Sequence, residues 1–406
     1  MRSRWTILAV LFVARAAIAF QFQSIAAIAP QLSQSLGANL ADIGVLIGLY
    51  FAPGAALALP GGAIGRHYGD KATVLAGLLL MLGGELLMTA STSWSTQIAG
   101  RLTAGIGGVL LNVLMTKMVA DWFAGREIAT AMAVFINSWP AGIALALMLL
   151  PAVGAALGLH AVNLAVAGVI LIGLCLIASV YRAPGATVED ERGSLTADAI
   201  SAVIAAGLIW CLYNIGFAMI FSFGPSMLVE QGWSSAAAGS TISIVLWLAA
   251  LSVPFGGFLA DRTKRGDAVL VTGCISFALL TLLLSRSGTV LPIVVALGIV
   301  CGLPAGAIMS LPARLLDQKI RPIGMGIFYT VFYAGMLIGP AIGGKLSMSA
   351  GSARAALDFG AVALLVCPVV LWLFRRIVAR RHRPAVSPMP DERREDDLLA
   401  NEAGHS

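Results

Sequence analysis

Four charged residues interrupt long apolar stretches of this 406-residue sequence: Arg15, Glu85, Arg101 and Asp358. Charged side chains inside lipid are costly, and they usually mark a solute pathway or a paired charge. Arg15 has no acidic partner that the sequence identifies, and a guanidinium binds carboxylates and other anions through two parallel hydrogen bonds. The sequence therefore predicts an anion-binding site at Arg15. The alternative is that Arg15 extends along its apolar stem toward the membrane surface.

The other three charges have simpler explanations. Glu85 and Arg101 fall at similar depths on neighbouring antiparallel stretches, so we expect a structural ion pair, with direct contact between Arg101 and a solute as the alternative. Arg354 precedes Asp358 by one helical turn, which predicts an ordinary pair at i and i+4.

Uncharged polar and aromatic side chains at the depth of Arg15 can complete a small, moderately polar pocket. For each of them the alternative is a hydrogen bond that holds two helices together. The predicted solute-binding residues, besides Arg15, are Gln21, Asn112, Asn137, Trp139, Tyr213, Asn214, Tyr329 and Tyr333, with Gln23, Thr116, Thr330 and Trp210 nearby.

The composition excludes an ordinary water-soluble enzyme. Hydrophobic residues make up 59% of the chain and charged residues only 11%, against roughly 25% charged residues in an average soluble domain. The net charge of +6 is spread over short gaps between apolar runs, so it does not indicate nucleic-acid binding. The five cysteines and four histidines lack the spacing of a disulfide framework or a metal site. We expect no cofactor, no metal and no catalytic residue.

Twelve stretches are long enough to cross about 30 Å of hydrocarbon as helices. Eight carry no charge and four are interrupted by one of the charges named above. In chain order they are Trp5–Pro30, Ile43–Gly65, Ala72–Ala90, Ile98–Val119, Ile128–Leu159, Ala161–Tyr181, Ile200–Val229, Ser234–Ala260, Ala268–Ser285, Ser287–Ala313, Pro322–Gly344 and Ala355–Phe374.

The distribution of basic residues predicts the orientation. Of 26 Lys and Arg residues, 21 fall on one side if both termini are cytoplasmic and three fall on the other. The first stretch also resembles a cleaved secretory signal, but Arg15 interrupts it and the apolar run continues to Pro30, so we interpret it as a retained helix. The predicted localisation is a bacterial-type inner or plasma membrane.

The chain divides into two halves of six predicted spans. We expect an N-terminal bundle at 1–181, a cytoplasmic linker at 182–198, a C-terminal bundle at 199–378 and a disordered tail at 379–406. The halves match at an offset of 195, which aligns Pro30 with Pro225, Gly37 with Gly232 and Gly44 with Gly239. Parallel repeats of this kind are typical of transporters whose halves rock about a central site, although chance alignment of glycine-rich helices is the alternative.

Two short loops carry charged motifs at corresponding places. GGFLADRTKRGD (Gly256–Asp267) contains Asp261 and Arg262 in succession, whereas GGAIGRHYGDK (Gly61–Lys71) has Arg66 first and Asp70 four residues later. We predict a gating role for these four charges, because loops this short can pair with helix ends in one conformation only. The alternative is that they are solvated basic loops.

Two further motifs lie within the spans. Arg101 is followed by Gly105 in an Arg-x-x-x-Gly pattern, and Gly335, Gly339, Pro340, Gly343 and Gly344 form Gly-x-x-x-Gly-Pro-x-x-Gly-Gly. Small residues four apart let helix backbones approach closely in lipid.

With these motifs the chain resembles the major facilitator superfamily over essentially its whole length. The resemblance implies an all-α membrane protein of twelve helices in two pseudo-symmetric six-helix bundles. The glycine-proline motif resembles one that antiporters of the family carry more typically in the fifth span, so it does not establish antiport. Arg66 and Asp70 also depart from the family pattern, since their charges are transposed.

We therefore expect a secondary active or facilitative transporter of a small, anionic solute that works by alternating access, not an enzyme. Its expected partners are the solute and the lipid bilayer, and we expect a monomer. Organic-acid porters and cyanate-type permeases are the relatives that the resemblance suggests first. The alternatives are a transporter-like receptor that does not transport, and an exporter of a neutral or hydrophobic compound.

Overall fold

The computed structural model describes residues 3–58, 60–123, 128–182, 196–313 and 321–381. Most of the predicted linker at 182–198 and of the predicted tail at 379–406 lies outside these ranges, as does the side chain of Arg66. Within them all regular secondary structure is helical. The N-terminal half contains α1 (Arg4–Ala27), α2 (Ala29–Leu36), α3 (Leu40–Leu49), α4 (Ala52–Leu57), α5 (Gly61–Tyr68), α6 (Asp70–Ala90), α7 (Trp94–Phe123), α8 (Ile128–Ile136) and α9 (Ser138–Val180). The C-terminal half contains α10 (Ala197–Glu230), α11 (Ser235–Thr263), α12 (Gly266–Arg286), α13 (Val290–Cys301), α14 (Leu303–Ala313), α15 (Arg321–Ala350) and α16 (Arg354–Arg381).

Eleven helical segments of the described chain are long and apolar enough to cross a membrane, and one of them contains two crossings. The segment Val134–Val180 is 47 residues long, and Gly158 within α9 has a φ of 81°, which no helix adopts. Gly142 contacts Ala16 of α1, and Gly173 contacts Ala14 of the same turn, although 31 positions of α9 separate the two glycines. A straight helix would hold them roughly 46 Å apart. The chain therefore reverses at Gly158, and the predicted twelve crossings are confirmed.

Proline explains why several crossings are broken near their middle. Proline has no N–H, so it frees the carbonyl four residues earlier and disturbs the helix there. The helices are interrupted two or three residues before a proline: at Ile28 before Pro30, and at Tyr50 and Phe51 before Pro53. The same holds at Asn137 before Pro140 and at Gly302 before Pro304. The breaks at Tyr50, Asn137 and Gly302 lie within the crossings, where backbone carbonyls become available to side chains, whereas the break at Ile28 lies near the end of the first crossing.

The two halves meet closely at one end of the bundle, which we call the distal end, where α1 ends and α3 begins; the opposite end is the proximal end. A Cβ added to Gly44 of α3 would lie 2.2 Å from the Pro340 carbonyl oxygen of α15, and one on Gly239 of α11 would lie 2.2 Å from the Leu147 oxygen of α9. Gly44 and Gly239 are repeat mates. At the proximal end, the described parts of α5 and α8 pack on helices of their own half.

The glycine stripe of α15 faces its own half. Added Cβ atoms at Gly335, Gly339 and Gly343 would contact side chains of α10, at Cys211, Ile215 and Met219 respectively. Pro340 lies on the face of α15 that contacts α3. One helix therefore packs tightly on α10 and carries the contact between the halves on another face.

The predicted pair between Arg354 and Asp358 is wrong. Asp358 instead accepts from Arg286 of α12, with 2.7 Å between Nη1 and Oδ1, because α12 packs along α16 and brings the guanidinium to the carboxylate. At the other end of the same helix pair, Arg375 Nε donates to Asp267 Oδ2 at 2.7 Å. Two ion pairs thus join α12 to α16.

Candidate functional site

Arg15 lies halfway along α1 and is held by the breaks of other helices. Its Nε donates to Asn112 Oδ1 of α7 at 3.1 Å. Its Nη1 donates to the carbonyl oxygens of Phe135 and Ile136, at 3.1 and 3.2 Å, and to Ser138 Oγ at 3.4 Å. Ile136 precedes Pro140 by four residues, so its carbonyl is the one that the proline leaves without a helical donor. The guanidinium therefore supplies hydrogen-bond donors to the carbonyl groups at the break between α8 and α9.

One end of this guanidinium remains available. Arg15 Nη2 makes no hydrogen bond to any described residue. It is also not fully buried, so part of its surface is accessible. The side chain as a whole is half-buried. Nη2 therefore carries two N–H donors into accessible space near the middle of the bundle. Within the described residues no carboxylate forms an ion pair with Arg15, and the acceptors that it binds there are uncharged.

Aromatic side chains enclose the guanidinium. Its carbon lies 4.7 Å from the centre of the Phe135 ring and 5.8 Å from that of Trp139. Aromatic faces attract cations, so these rings stabilise the charge while shielding it from lipid. Trp139 also stacks on Phe22 at 5.8 Å, which closes the site toward the distal end.

The C-terminal half reaches the same site through α15. Asn112 Nδ2 donates to the hydroxyl oxygen of Tyr333 at 3.0 Å, and the phenols of Tyr329 and Tyr333 lie within electrostatic range of Arg15. The Tyr333 ring packs against Gly54 of α4, where an added Cβ would lie 2.4 Å from it. Arg15, Asn112, Trp139, Tyr329 and Tyr333 are thus brought together from both halves.

The remaining predicted pocket residues lie elsewhere. Tyr213 is buried, and its hydroxyl donates to the Cys301 carbonyl at the break between α13 and α14, 2.8 Å away. Asn214 donates to the Trp210 carbonyl of its own helix. Asn137 forms the break between α8 and α9, next to the carbonyls that Arg15 binds. Gln21 lies in a separate buried cluster, where it donates to Glu85.

Arg101 and Glu85 do not form the predicted ion pair. Arg101 is fully buried and donates to three backbone carbonyls, of Leu46, Gln21 and Phe22, at 2.9 to 3.1 Å. Glu85, also fully buried, accepts from Gln21 Nε2 at 2.9 Å. The prediction failed because helix breaks and close packing expose carbonyl oxygens to Arg101, which side-chain spacing in sequence does not reveal.

Both residues of the Arg-x-x-x-Gly motif, Arg101 and Gly105, contact Tyr50. The Arg101 guanidinium lies 4.8 Å from the centre of the Tyr50 ring, and an added Cβ at Gly105, one turn later, would lie 2.3 Å from the Tyr50 carbonyl oxygen. Tyr50 marks the break between α3 and α4. Arg101 and Gly105 together therefore hold that break against α7.

We expect Arg101→Met to destabilise the protein by about 3 kcal/mol or more, because it removes the donors to three backbone carbonyls in a fully buried site, at about 1–3 kcal/mol for each acceptor left unsatisfied. Arg286→Met, which removes an exposed pair, should cost at most about 1 kcal/mol. Thermal unfolding of the purified variants in detergent measures the difference. Equal losses in the two variants would contradict a structural role for Arg101.

The predicted gating charges occupy the proximal end. Asp70 accepts from Lys117 of α7 at 2.6 Å, whereas Arg66 lies on α5 with its side chain outside the described residues. Asp261 and Arg262 are exposed near the end of α11 and form no ion pair within the described chain. A gating role for these residues stays a prediction.

Sequence reasoning missed Phe135, Ser138 and the two carbonyls that hold Arg15. The signal was present in Pro140, since a proline inside an apolar span frees a carbonyl one turn earlier. The aromatic neighbours Phe22 and Phe51 were also missed, because apolar aromatics are common throughout such spans.

Comparison with known proteins agrees with this architecture. The Major Facilitator Superfamily model matches residues 11–229 and 206–395. The chain is 23% identical over 327 residues to the inner membrane transport protein YajR of Escherichia coli (strain K12). That alignment covers 77% of this chain and 70% of YajR. The chain is also 22% identical over 390 residues to the hexuronate transporter of Bacillus subtilis (strain 168). That alignment covers 87% of this chain and 90% of the hexuronate transporter.

Solved structures share the fold. The crystal structure of the POT family transporter PepTSo superposes with a TM-score of 0.73 and 11% identity, over 94% of this chain and all of that one. The predicted all-α membrane fold is confirmed, and the protein is an integral, multi-pass membrane protein whose matched relatives are transporters rather than enzymes. Since the family model matches nearly the whole chain, this protein belongs to the Major Facilitator Superfamily of membrane transporters.

Proposed function

We propose that the protein transports a small anionic solute by alternating access, and that Arg15 binds the solute's negative group. The observation that carries the proposal is the position of Arg15 Nη2, which offers two unused donors in accessible space halfway along α1. Each N–H group of Nη2 can donate a charge-assisted hydrogen bond to an anionic oxygen, which is stronger than a bond between neutral groups. Asn112, Trp139, Tyr329 and Tyr333 line the site, with Asn137 at its edge.

The name of a matched relative supports an anionic cargo. The hexuronate transporter aligns with this chain over 87% of its length, and hexuronates are sugar carboxylates. The identity of 22% does not transfer the substrate itself, but it makes small carboxylates the first class to test.

The packing of the halves supports alternating access. Close contacts between them lie at the distal end, through Gly44 and Gly239, while the described parts of α5 and α8 pack within their own half. This packing supports a conformation in which the Arg15 site opens toward the proximal end, which the distribution of basic residues predicts to be cytoplasmic. Separation of the distal contacts would expose the same site to the opposite side.

Purified protein tests the anion class directly. Glucuronate, succinate, acetate and nitrate should be screened by thermal shift, together with the neutral analogues glucose and acetamide. We expect at least one anion to raise the melting temperature while its neutral analogue does not, since binding to the folded state stabilises it. Stabilisation by the neutral compounds alone would contradict the anion proposal.

Counterflow in proteoliposomes separates a transporter from a receptor. Vesicles loaded with the unlabelled stabilising anion should accumulate the radiolabelled compound transiently, because a carrier exchanges the two across the membrane. A receptor with the same fold binds without exchange, so stabilisation without counterflow would favour the receptor.

A further inference from the structure

Asn112 occupies a position in which its amide can have only one orientation. A guanidinium carries donors and no acceptor, so the atom of Asn112 that faces Arg15 Nε, 3.1 Å away, must be the amide oxygen. The amide nitrogen therefore points to Tyr333, whose hydroxyl oxygen lies 3.0 Å from it. Because an amide N–H₂ only donates, the Tyr333 oxygen is the acceptor of this bond.

The hydrogen bond from Asn112 leaves the Tyr333 hydroxyl group with its own hydrogen to donate. A phenol has one hydrogen, and here its oxygen already accepts from Asn112. Within the described residues no acceptor takes the Tyr333 hydrogen, although the side chain is only 2% exposed. Burial of an unused hydroxyl hydrogen costs free energy. The Tyr333 hydroxyl is therefore held ready to donate to an acceptor that the chain itself does not supply.

The two unused donors, Arg15 Nη2 and the Tyr333 hydroxyl, lie on either side of one amide group. Arg15 Nε and the Tyr333 oxygen bind the two ends of the Asn112 amide, at 3.1 and 3.0 Å, and Nη2 belongs to the same planar guanidinium as Nε. A carboxylate that accepts one hydrogen bond at each of its oxygens can join donors up to about 7 Å apart. A guanidinium N–H from α1 and a phenol O–H from α15 can therefore bind the same carboxylate.

We propose that Tyr333 is the second donor to the anion, supplied by the C-terminal half, and that Asn112 is the positioning residue that directs the Tyr333 hydrogen toward it. This inference rests on the proposed function, and it adds a specificity rule: the solute must present acceptor oxygens to both halves at once. A solute bound in this way joins α1 to α15, the helix that also forms the distal contact with α3.

Four variants test the inference by anion titration of the purified, full-length protein, with glucuronate, succinate and acetate as probes. Tyr333→Phe removes only the hydroxyl, and we expect a rise in Kd of about tenfold or more, as for other hydrogen bonds to charged groups. Tyr181→Phe is the control, because Tyr181 is a buried tyrosine at the proximal end. Its Kd should stay within about twofold of the wild-type value.

Asn112→Asp and Asn112→Leu separate positioning from packing. Aspartate has the shape of asparagine, but its carboxylate would pair with Arg15 and accept the Tyr333 hydrogen, so both donors would be turned away from the solute. We therefore expect Asn112→Asp to lose anion binding more completely than Asn112→Leu. If Asn112 only filled space, the order would be reversed, because leucine changes the shape more.

The outcomes distinguish this inference from the proposed function. If Tyr333→Phe and Tyr181→Phe bind the probes equally well while Arg15→Ala does not bind them, the Tyr333 inference is overturned and the anion proposal stands. If Arg15→Ala binds as the wild type does, or if the wild type binds none of the three probes, the anion proposal falls and this inference falls with it.

Discussion

Replacement of Arg15 by alanine is expected to abolish anion transport while the protein still folds and inserts into the membrane. The variant loses a half-buried charge halfway along α1, together with the hydrogen bonds that we propose it makes to the solute. We expect Kd to rise roughly 10- to 150-fold, the usual worth of a charge-assisted hydrogen bond. Anion titration of purified protein and radiolabelled exchange in proteoliposomes measure the two effects.

Folding must be separated from binding in this experiment, because Arg15 also satisfies the carbonyl that Pro140 frees. Arg15→Lys keeps the positive charge but loses the planar fork, so it should fold normally and bind anions with intermediate affinity. Size-exclusion profiles and melting temperatures of both variants without ligand provide the control. Unchanged exchange by well-folded Arg15→Ala would remove the basis of the anion proposal.

Replacement of Gly44 by tryptophan is expected to stop transport for a different reason. Even a Cβ at this position would lie 2.2 Å from the Pro340 oxygen, so α3 and α15 cannot approach each other as they do here. Overpacking of this kind costs about 1–3 kcal/mol or more, which shifts a balanced two-state equilibrium by roughly fivefold to over a hundredfold. We expect the distal end to stay open and net transport to fall accordingly.

Labelling measures the expected opening. Ala41 lies in the same contact, with its Cα 3.1 Å from the position of an added Gly344 Cβ. A cysteine introduced by Ala41→Cys should react faster with a membrane-impermeant maleimide when Gly44→Trp is also present. Gly168→Trp is the matched control, because an added Cβ there meets no atom within 4 Å. Equal labelling rates in the two backgrounds would show that the distal contact does not gate access.

Much of the fold could be predicted because lipid imposes strict rules on the sequence. Backbone groups in hydrocarbon must bond within a helix, so the length and spacing of apolar runs predict the crossings. The predicted Ala72–Ala90 corresponds to α6 at Asp70–Ala90, and Ile200–Val229 to α10 at Ala197–Glu230. The repeat offset also has a structural counterpart, since Gly37 and Gly232 both follow helix ends with positive φ, at 63° and 91°.

The partners of the buried charges could not be predicted in the same way. Equal depth suggested that Arg101 would pair with Glu85, yet Arg101 binds backbone carbonyls and Glu85 binds Gln21. Tyr213 and Tyr333 looked equivalent as polar aromatics of the second half. Only the rotation of each helix about its axis decides that Tyr213 reaches a carbonyl in its own half and Tyr333 reaches Asn112 in the other.

The sequence by itself determined that this is a twelve-helix membrane protein with a repeated half and an isolated cation near mid-depth. Hydropathy is additive along the chain, so each crossing can be recognised without the others. The tertiary structure decided which side chains meet, namely Arg15 from one half and Tyr333 from the other, both hydrogen-bonded to Asn112. Hydrogen bonds depend on distance and angle at the scale of a few tenths of an ångström, and those are set only when the sixteen helical segments of the described chain pack together.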